Sequence, residues 1–569
     1  MPSLLRRGLT TGLATLMLAT AGAAVATAPA SAGPRSDTTT ALEKRRVDSV
    51  PAPVLAWEGC YEYAECATAQ VPLDYDQPRG ATTGLAVLRV PARDQANKIG
   101  SLFVNPGGPG GSATSLALGS PNFLSDALLD RFDIVGVDPR GIADSTNVRC
   151  WNSAAEQAAV LNDMNVAFPW GRAEEKKYVA AAEKFGRACS TTGRPLTGAM
   201  STAEVVRDME LLRRSVGDSK LTFLGFSYGT AIGQYYANMF PERFRAIVVD
   251  GVLDPDHWVG NPATANIEQD SRLKSSDGAY RALIEILKRC DRAGEDACVF
   301  AEGNPVARFE TIARELRRAP LTVTDEWGTY TITYADFIGG VLGNLYGVDA
   351  GWTVTDLAQQ LWILLEGTPA QAPAAKAALR ERIESFTEPA EEPYDNGFEA
   401  FAGVLCTDAL HPRDADSWLR LMDQADRRAP YFGRAWGWGS VQCARDTWTV
   451  RDEDAYAGPW DRRTAAPVLV VGNYWDPATA YTDAVSASRR LGNARLLSSD
   501  NWGHTAYGTG DCATAAIDAY LLAGTLPARG TVCEGAYQPF TPAAARRAGT
   551  KGQVPVAIPL PPSVLNGNR

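Results

Sequence analysis

Only three histidines occur in 569 residues, and none of the ten cysteines stands in a C-x-x-C pair, so a zinc site has little to be built from. No cluster of lysine and arginine stands out and the formal net charge is −11. That balance excludes nucleic acid as a partner, because phosphate contacts need concentrated positive charge. No internal repeat is visible. The longest apolar run, "GLATLMLATAGAAVA" near the start, is shorter than the roughly 20 residues that cross a bilayer, so stable membrane association is not expected.

That run is instead read as an export signal. Arg6 and Arg7 precede it and "APASA" follows it, ending at Ala32, which puts the charged, apolar and small-residue parts of a secretory leader in order. Residues 1–32 are read as the signal peptide, with cleavage near Ala32 and an extracellular product. The ten cysteines agree, since an oxidising compartment lets them pair. Pairing between sequence neighbours predicts 150–189, 290–298, 406–443 and 512–533, with 60–66 closing the smallest loop. Residues 33–55 are polar, charged and proline-punctuated, and are read as a linker or pro-segment.

From about residue 56 to 255, short apolar runs alternate with amphipathic stretches: "GLAVLRVPA", "IGSLFVNPGG", "FDIVGVDPRG", "TAEVVRDMELLRRSVG", "KLTFLG" and "FRAIVVDG". Alternating β and α predicts a mostly parallel, doubly wound sheet. The texture then becomes helical and aromatic over 256–405, and the sheet pattern resumes in 406–535 with "APVLVVGNYWDPATA" and "ARLLSSDNWGH". Resumption predicts one doubly wound core with an inserted, mainly helical lid. The tail 536–569 is Pro-rich and expected to be extended.

The chemistry centres on "GFSYGT", residues 225–230. A G-x-S-x-G at a strand-to-helix junction forces a sharp turn that presents the serine at the C-terminal edge of the sheet. Ser227 is the candidate nucleophile, and the N–H of Tyr228 faces the place where an oxyanion would form. A serine hydroxyl needs a base. Among the three histidines His257 and His411 fall in or beside the lid, and only His504 follows a late strand. Asp476, at the end of "PVLVVGNYW" and 28 positions before His504, is the candidate acid, with Asp461 and Asp408 as alternatives. "SLFVNPGGPGGS" supplies a second oxyanion donor, Gly108, with Gly107 as the alternative. Neither G-x-x-x-x-G-K-[ST] nor G-x-G-x-x-G fits that loop, and no metal or organic cofactor is needed.

Together "NPGGPGGS", "DIVGVDPRG", "GFSYGT", "GNYWDPATA" and "NWGH" resemble the secreted actinobacterial tripeptidyl aminopeptidases, in the prolyl-aminopeptidase-like branch of the α/β-hydrolases. The resemblance spans about residues 56–535. It implies a serine peptidase that releases short peptides, tripeptides among them, from the free amino terminus of peptide or protein substrates. The prolyl aminopeptidases carry a histidine before the glycine-rich loop where this chain has Asn105-Pro106, so proline-specific cleavage is not implied. An esterase, lipase or amidase on the same scaffold is the alternative, and a non-catalytic binding protein the outsider. Exopeptidase action calls for carboxylates that pair with the substrate's ammonium group. Glu268, Asp270 and Asp408 are the candidates.

Overall fold

The computed structural model describes residues 39–326, 328–384, 394–541 and 553–555. The leader expected over 1–32 and most of the tail lie outside them. The strands are β1 (Glu58–Cys60), β2 (Ala64–Pro72), β3 (Thr82–Val90), β4 (Gly100–Asn105), β5 (Phe132–Val137), β6 (Leu221–Phe226), β7 (Phe244–Asp250), β8 (Leu321–Asp325), β9 (Gly328–Ile332), β10 (Val468–Trp475), β11 (Ala494–Trp502) and β12 (Val532–Glu534). Ten of them form one sheet in the order β1-β2-β3-β5-β4-β6-β7-β10-β11-β12. The first three pairings are antiparallel, and every pairing from β5 onward is parallel. Central strands β5 and β6 are buried at every residue, which is why they read as continuous apolar runs rather than alternating ones. The mostly parallel, doubly wound core is the α/β-hydrolase fold.

Between β7 and β10 no strand among the described residues joins this sheet. The segment holds helices and the β8–β9 hairpin. The boundary expected at 405/406 falls inside the helix Gly397–Asp408, and helical structure continues to Cys443. Return to the sheet comes only at Val468. The helix Trp418–Arg428 carries its own helical apolar period, with Trp418, Leu421, Met422 and Ala425 all buried, so the lid's helical pattern runs past the expected boundary. A second helical stretch, including the 20-residue helix Arg172–Thr191, lies between β5 and β6.

The segment read as a linker is partly structured. Thr40 caps a helix, Ala41–Asp48, by accepting the Glu43 N–H. Few apolar residues advertise it, because much of its attachment is ionic. Arg207 donates to both Glu43 oxygens at 2.9 and 3.0 Å, Arg46 bonds Asp76 and Asp454, and Val47 is fully buried. All five cysteine pairs form between sequence neighbours: 60–66, 150–189, 290–298, 406–443 and 512–533. Among the described residues no helix is long and apolar enough to cross a membrane.

Candidate active site

Ser227 stands between β6 and the helix Gly229–Met239 with φ = +54°. A non-glycine residue rarely adopts this conformation, and it persists only where its surroundings leave no alternative. The surroundings here are close. A Cβ on Gly225 would lie 2.4 Å from the Gly229 carbonyl oxygen, so a side chain there would force strand and helix apart. A Cβ on Gly107 would lie 2.5 Å from the Phe226 oxygen and 2.8 Å from the Tyr228 nitrogen. The glycine-rich loop after β4 therefore packs directly on the turn that carries the serine.

The two loop glycines differ in what their N–H groups do. Gly107 N–H is committed to Asn105 Oδ1 at 2.9 Å. Gly108 lines the same cavity as Ser227, and among the described residues its N–H has no acceptor. Tyr228 stands at the head of the following helix, directly after Ser227.

Asp476 and His504 follow the adjacent strands β10 and β11, and both are fully buried. His504 Nδ1 lies 2.9 and 3.0 Å from the Asp476 oxygens. The carboxylate also accepts N–H groups of Ala478 and Thr479 at 2.8 Å and the Thr479 hydroxyl at 2.9 Å, so its position is fixed from several sides. His504 Nε2 is buried with no hydrogen-bond partner among the described residues. A Cβ on Gly251 would sit 3.0 Å from His504 Cε1, and Ser227 N–H is bonded to the oxygen of the preceding Asp250. This brings ring and serine to one corner of the sheet.

Two residues that sequence reasoning missed hold the histidine. Tyr346 packs edge-on against its ring at 5.2 Å, and the Tyr346 carbonyl accepts the His504 N–H. Gln553 donates to the carbonyls of both Tyr346 and His504, at 2.9 and 3.1 Å. Neither carries a motif. Both reach the site from segments far away in sequence.

The other histidines are placed differently. His257 is partly exposed and its Nδ1 pairs with Asp483 at 3.0 Å. His411 is buried; its Nε2 bonds the Leu405 carbonyl and its Nδ1 has no partner. Burial pushes the His411 pKa down to about 3. The folded protein thus keeps this ring neutral, whereas the unfolded chain protonates it near 6.5. Its contribution to stability is present above that value and is lost as pH falls from about 6.5 towards 3. Wild-type protein should therefore lose on the order of 2–3 kcal/mol more unfolding free energy than His411→Gln between about pH 7 and pH 4.5. Denaturant titration at the two pH values checks this, and equal acid sensitivity of the two proteins would rule it out. Asp461 is exposed.

Ser227 and Gly108 open into a cavity of about 290 Å³. Its walls come from both helical stretches: Tyr178 from the earlier one, and Trp258, Tyr346 and Trp436 from the later one. Of the three candidate carboxylates, only Asp270 lines it. Glu268 is buried and caps the helix Gln269–Leu273 through Ser271. Asp408 is buried behind the wall, where it accepts Thr202 N–H at 2.7 Å, the Thr202 hydroxyl, and Trp258 Nε1–H at 2.8 Å. Thr202 in turn bonds the Tyr228 hydroxyl, so Asp408 braces the helix start and the cavity wall. Burial, reinforced by the Glu268 charge, holds the Asp270 carboxyl well above the usual carboxylate range.

Residues 100–283 match the family described as alpha/beta hydrolase fold, and residues 429–533 match the one described as TAP-like protein. Serine protease Hip1 of Mycobacterium tuberculosis is 31% identical, covering 83% of this chain and 87% of its own length. The chain belongs to the TAP-like α/β-hydrolases, the tripeptidyl aminopeptidase family. Carboxylesterase B of M. tuberculosis is 31% identical over 85% of this chain and 91% of its own length. Tripeptidyl aminopeptidase of Streptomyces lividans is 27% identical over 84% and 86% respectively. The chain is a serine hydrolase of the peptidase kind.

Proposed function

We propose that this protein is a secreted serine peptidase that cleaves short peptides, tripeptides among them, from the free amino terminus of its substrate. Ser227 attacks the carbonyl while His504 takes its proton, and Asp476 orients the ring and stabilises the imidazolium. The tetrahedral oxyanion is met by the N–H groups of Gly108 and Tyr228. His504 then returns the proton to the leaving amine, and water releases the acyl group by the same steps in reverse order.

The observation that carries the reading is the cavity itself, which is lined by both the nucleophilic serine and a half-buried carboxylate, Asp270. An ammonium group is a partner that such a carboxylate can take. Secretion is supported by the five disulfides, which persist in oxidising compartments, and by the leader pattern. A carboxylesterase remains the second reading, because a relative of equal identity bears that name and seven aromatic side chains line the cavity.

The test is digestion of a peptide library with free and blocked amino termini, read by mass spectrometry. Release of short amino-terminal fragments from free peptides alone is the expected result. Internal cuts would indicate an endopeptidase, and turnover of simple acyl esters without peptide cleavage would establish the esterase reading.

A further inference from the structure

Asp250 ends β7, which lies in the sheet between β6, the strand before Ser227, and β10, the strand that leads to Asp476. Its main-chain oxygen accepts the Ser227 N–H at 3.0 Å. Its carboxylate accepts the Ala506 N–H at 2.9 and 3.0 Å and the Tyr507 N–H at 2.8 Å. One residue therefore touches both the nucleophile turn and the loop that follows the base. The side chain is fully buried, and among the described residues no cation pairs with it. A buried carboxylate without a cation is costly unless its hydrogen bonds secure something.

What they secure is a strained turn. Thr505, next to the base, has φ = +71°, an outlying conformation for a β-branched residue that needs external restraint. Asp476 takes the Thr505 N–H at 3.4 Å, and Asp250 takes the next two N–H groups along the chain. The segment 504–507 is thus strung between two carboxylates.

We propose that Asp250 is a positioning residue for acyl transfer, a clamp that holds the base loop against the nucleophile turn; this rests on the assignment of Ser227 and His504 above. An asparagine keeps the size but replaces one acceptor oxygen with an NH₂ group that would face a backbone N–H. It also removes a negative charge near the imidazolium that forms during attack. The titratable groups acting on Asp250 are His504 and Asp476, and burial pushes its carboxyl up to about 7. Below that pH the clamp is protonated and loses accepting capacity.

The experiment compares full-length wild type with Asp250→Asn on a free-amine peptide from about pH 5 to pH 8, with near-ultraviolet circular dichroism as the control for folding. For the variant, kcat should fall by about tenfold or more, the scale on which small misplacements of a catalytic group act, while KM stays within about twofold. As pH falls through about 7, wild type should show an additional step of up to about tenfold loss in kcat, from protonation of Asp250, that the variant lacks. Equal kcat and the same pH profile in both proteins would overturn the clamp. Should Asp250→Asn not fold, Asp250→Glu, which keeps both acceptor oxygens but displaces them, takes its place, and kcat within about twofold of wild type refutes the proposal. Labelling of wild-type Ser227 by a fluorophosphonate separates the two levels: an unlabelled Ser227 sinks the reading of the site, whereas a labelled one with an indifferent Asp250→Asn sinks only the clamp.

Discussion

Replacing Ser227 or His504 by alanine should lower kcat on a free-amine peptide by on the order of 10⁴–10⁶, with thermal unfolding little changed. Nucleophile and base act as a unit, so the double variant should be no worse than either single one. The expectation for His504 follows from its partners. Its Nδ1 is engaged by Asp476 and its Nε2 is left without one among the described residues, which is the arrangement that lets an imidazole accept a serine proton. His411 bonds a carbonyl instead, and burial holds it neutral far below its usual range. His257 pairs with Asp483. Near-normal kcat for His504→Ala, measured beside loss of activity in His411→Ala, would move the base to His411.

The second large effect concerns the substrate's amino group. Acetylating a good peptide removes the ammonium proposed to pair with Asp270, which should cost about 3–5 kcal/mol, more than a hundredfold in kcat/KM. In Asp270→Asn the penalty should nearly vanish, because there is no carboxylate left to strand. The combination is a double-mutant cycle between one side chain and one substrate group. The pH dependence has a definite sign. Burial and the Glu268 charge hold Asp270 above the usual carboxylate range, so as pH falls it takes up a proton before an ordinary aspartate does, which should raise KM for free peptides while leaving acetylated ones indifferent. Equal penalties for acetylation in wild type and Asp270→Asn would remove Asp270 from amine recognition.

The central strands were legible in the sequence because burial on both faces writes them as unbroken apolar runs; "FDIVGV" and "LTFLGF" are such runs. The serine turn was legible because its geometry demands glycines at fixed places, and Gly225 and Gly107 meet backbone atoms at distances no Cβ tolerates. Elements held by other forces were not. β2 carries alanine, threonine and a cysteine in a partly exposed pattern, and β12 is three residues long. The helix Ala41–Asp48 depends on ion pairs with residues far along the chain, which no local pattern records. In the site, the order Ser, Asp, His could be read from strand position. Tyr346 and Gln553 could not, because they act through main-chain carbonyls and ring contact rather than through chemistry of their own. The amine candidates were separable only in three dimensions: Glu268, Asp270 and Asp408 are all acidic residues near the lid, and only Asp270 reaches the cavity.

For an enzyme that removes peptides from free amino termini, its own leading residues are the substrate nearest to hand. The helix Ala41–Asp48 sets a floor to such self-trimming. A strand of chain must be extended to enter a roofed cavity, and here the first turn is capped by Thr40 while Glu43 and Arg46 are both buried. Pulling the helix loose would strip Arg207 of the Glu43 carboxylate and Arg46 of two acidic partners, and would release Arg214 from the carbonyls of Val47 and Val50. Under the proposed activity, digestion from the amino end should stall at this helix and leave residues 41–48 attached to the folded body.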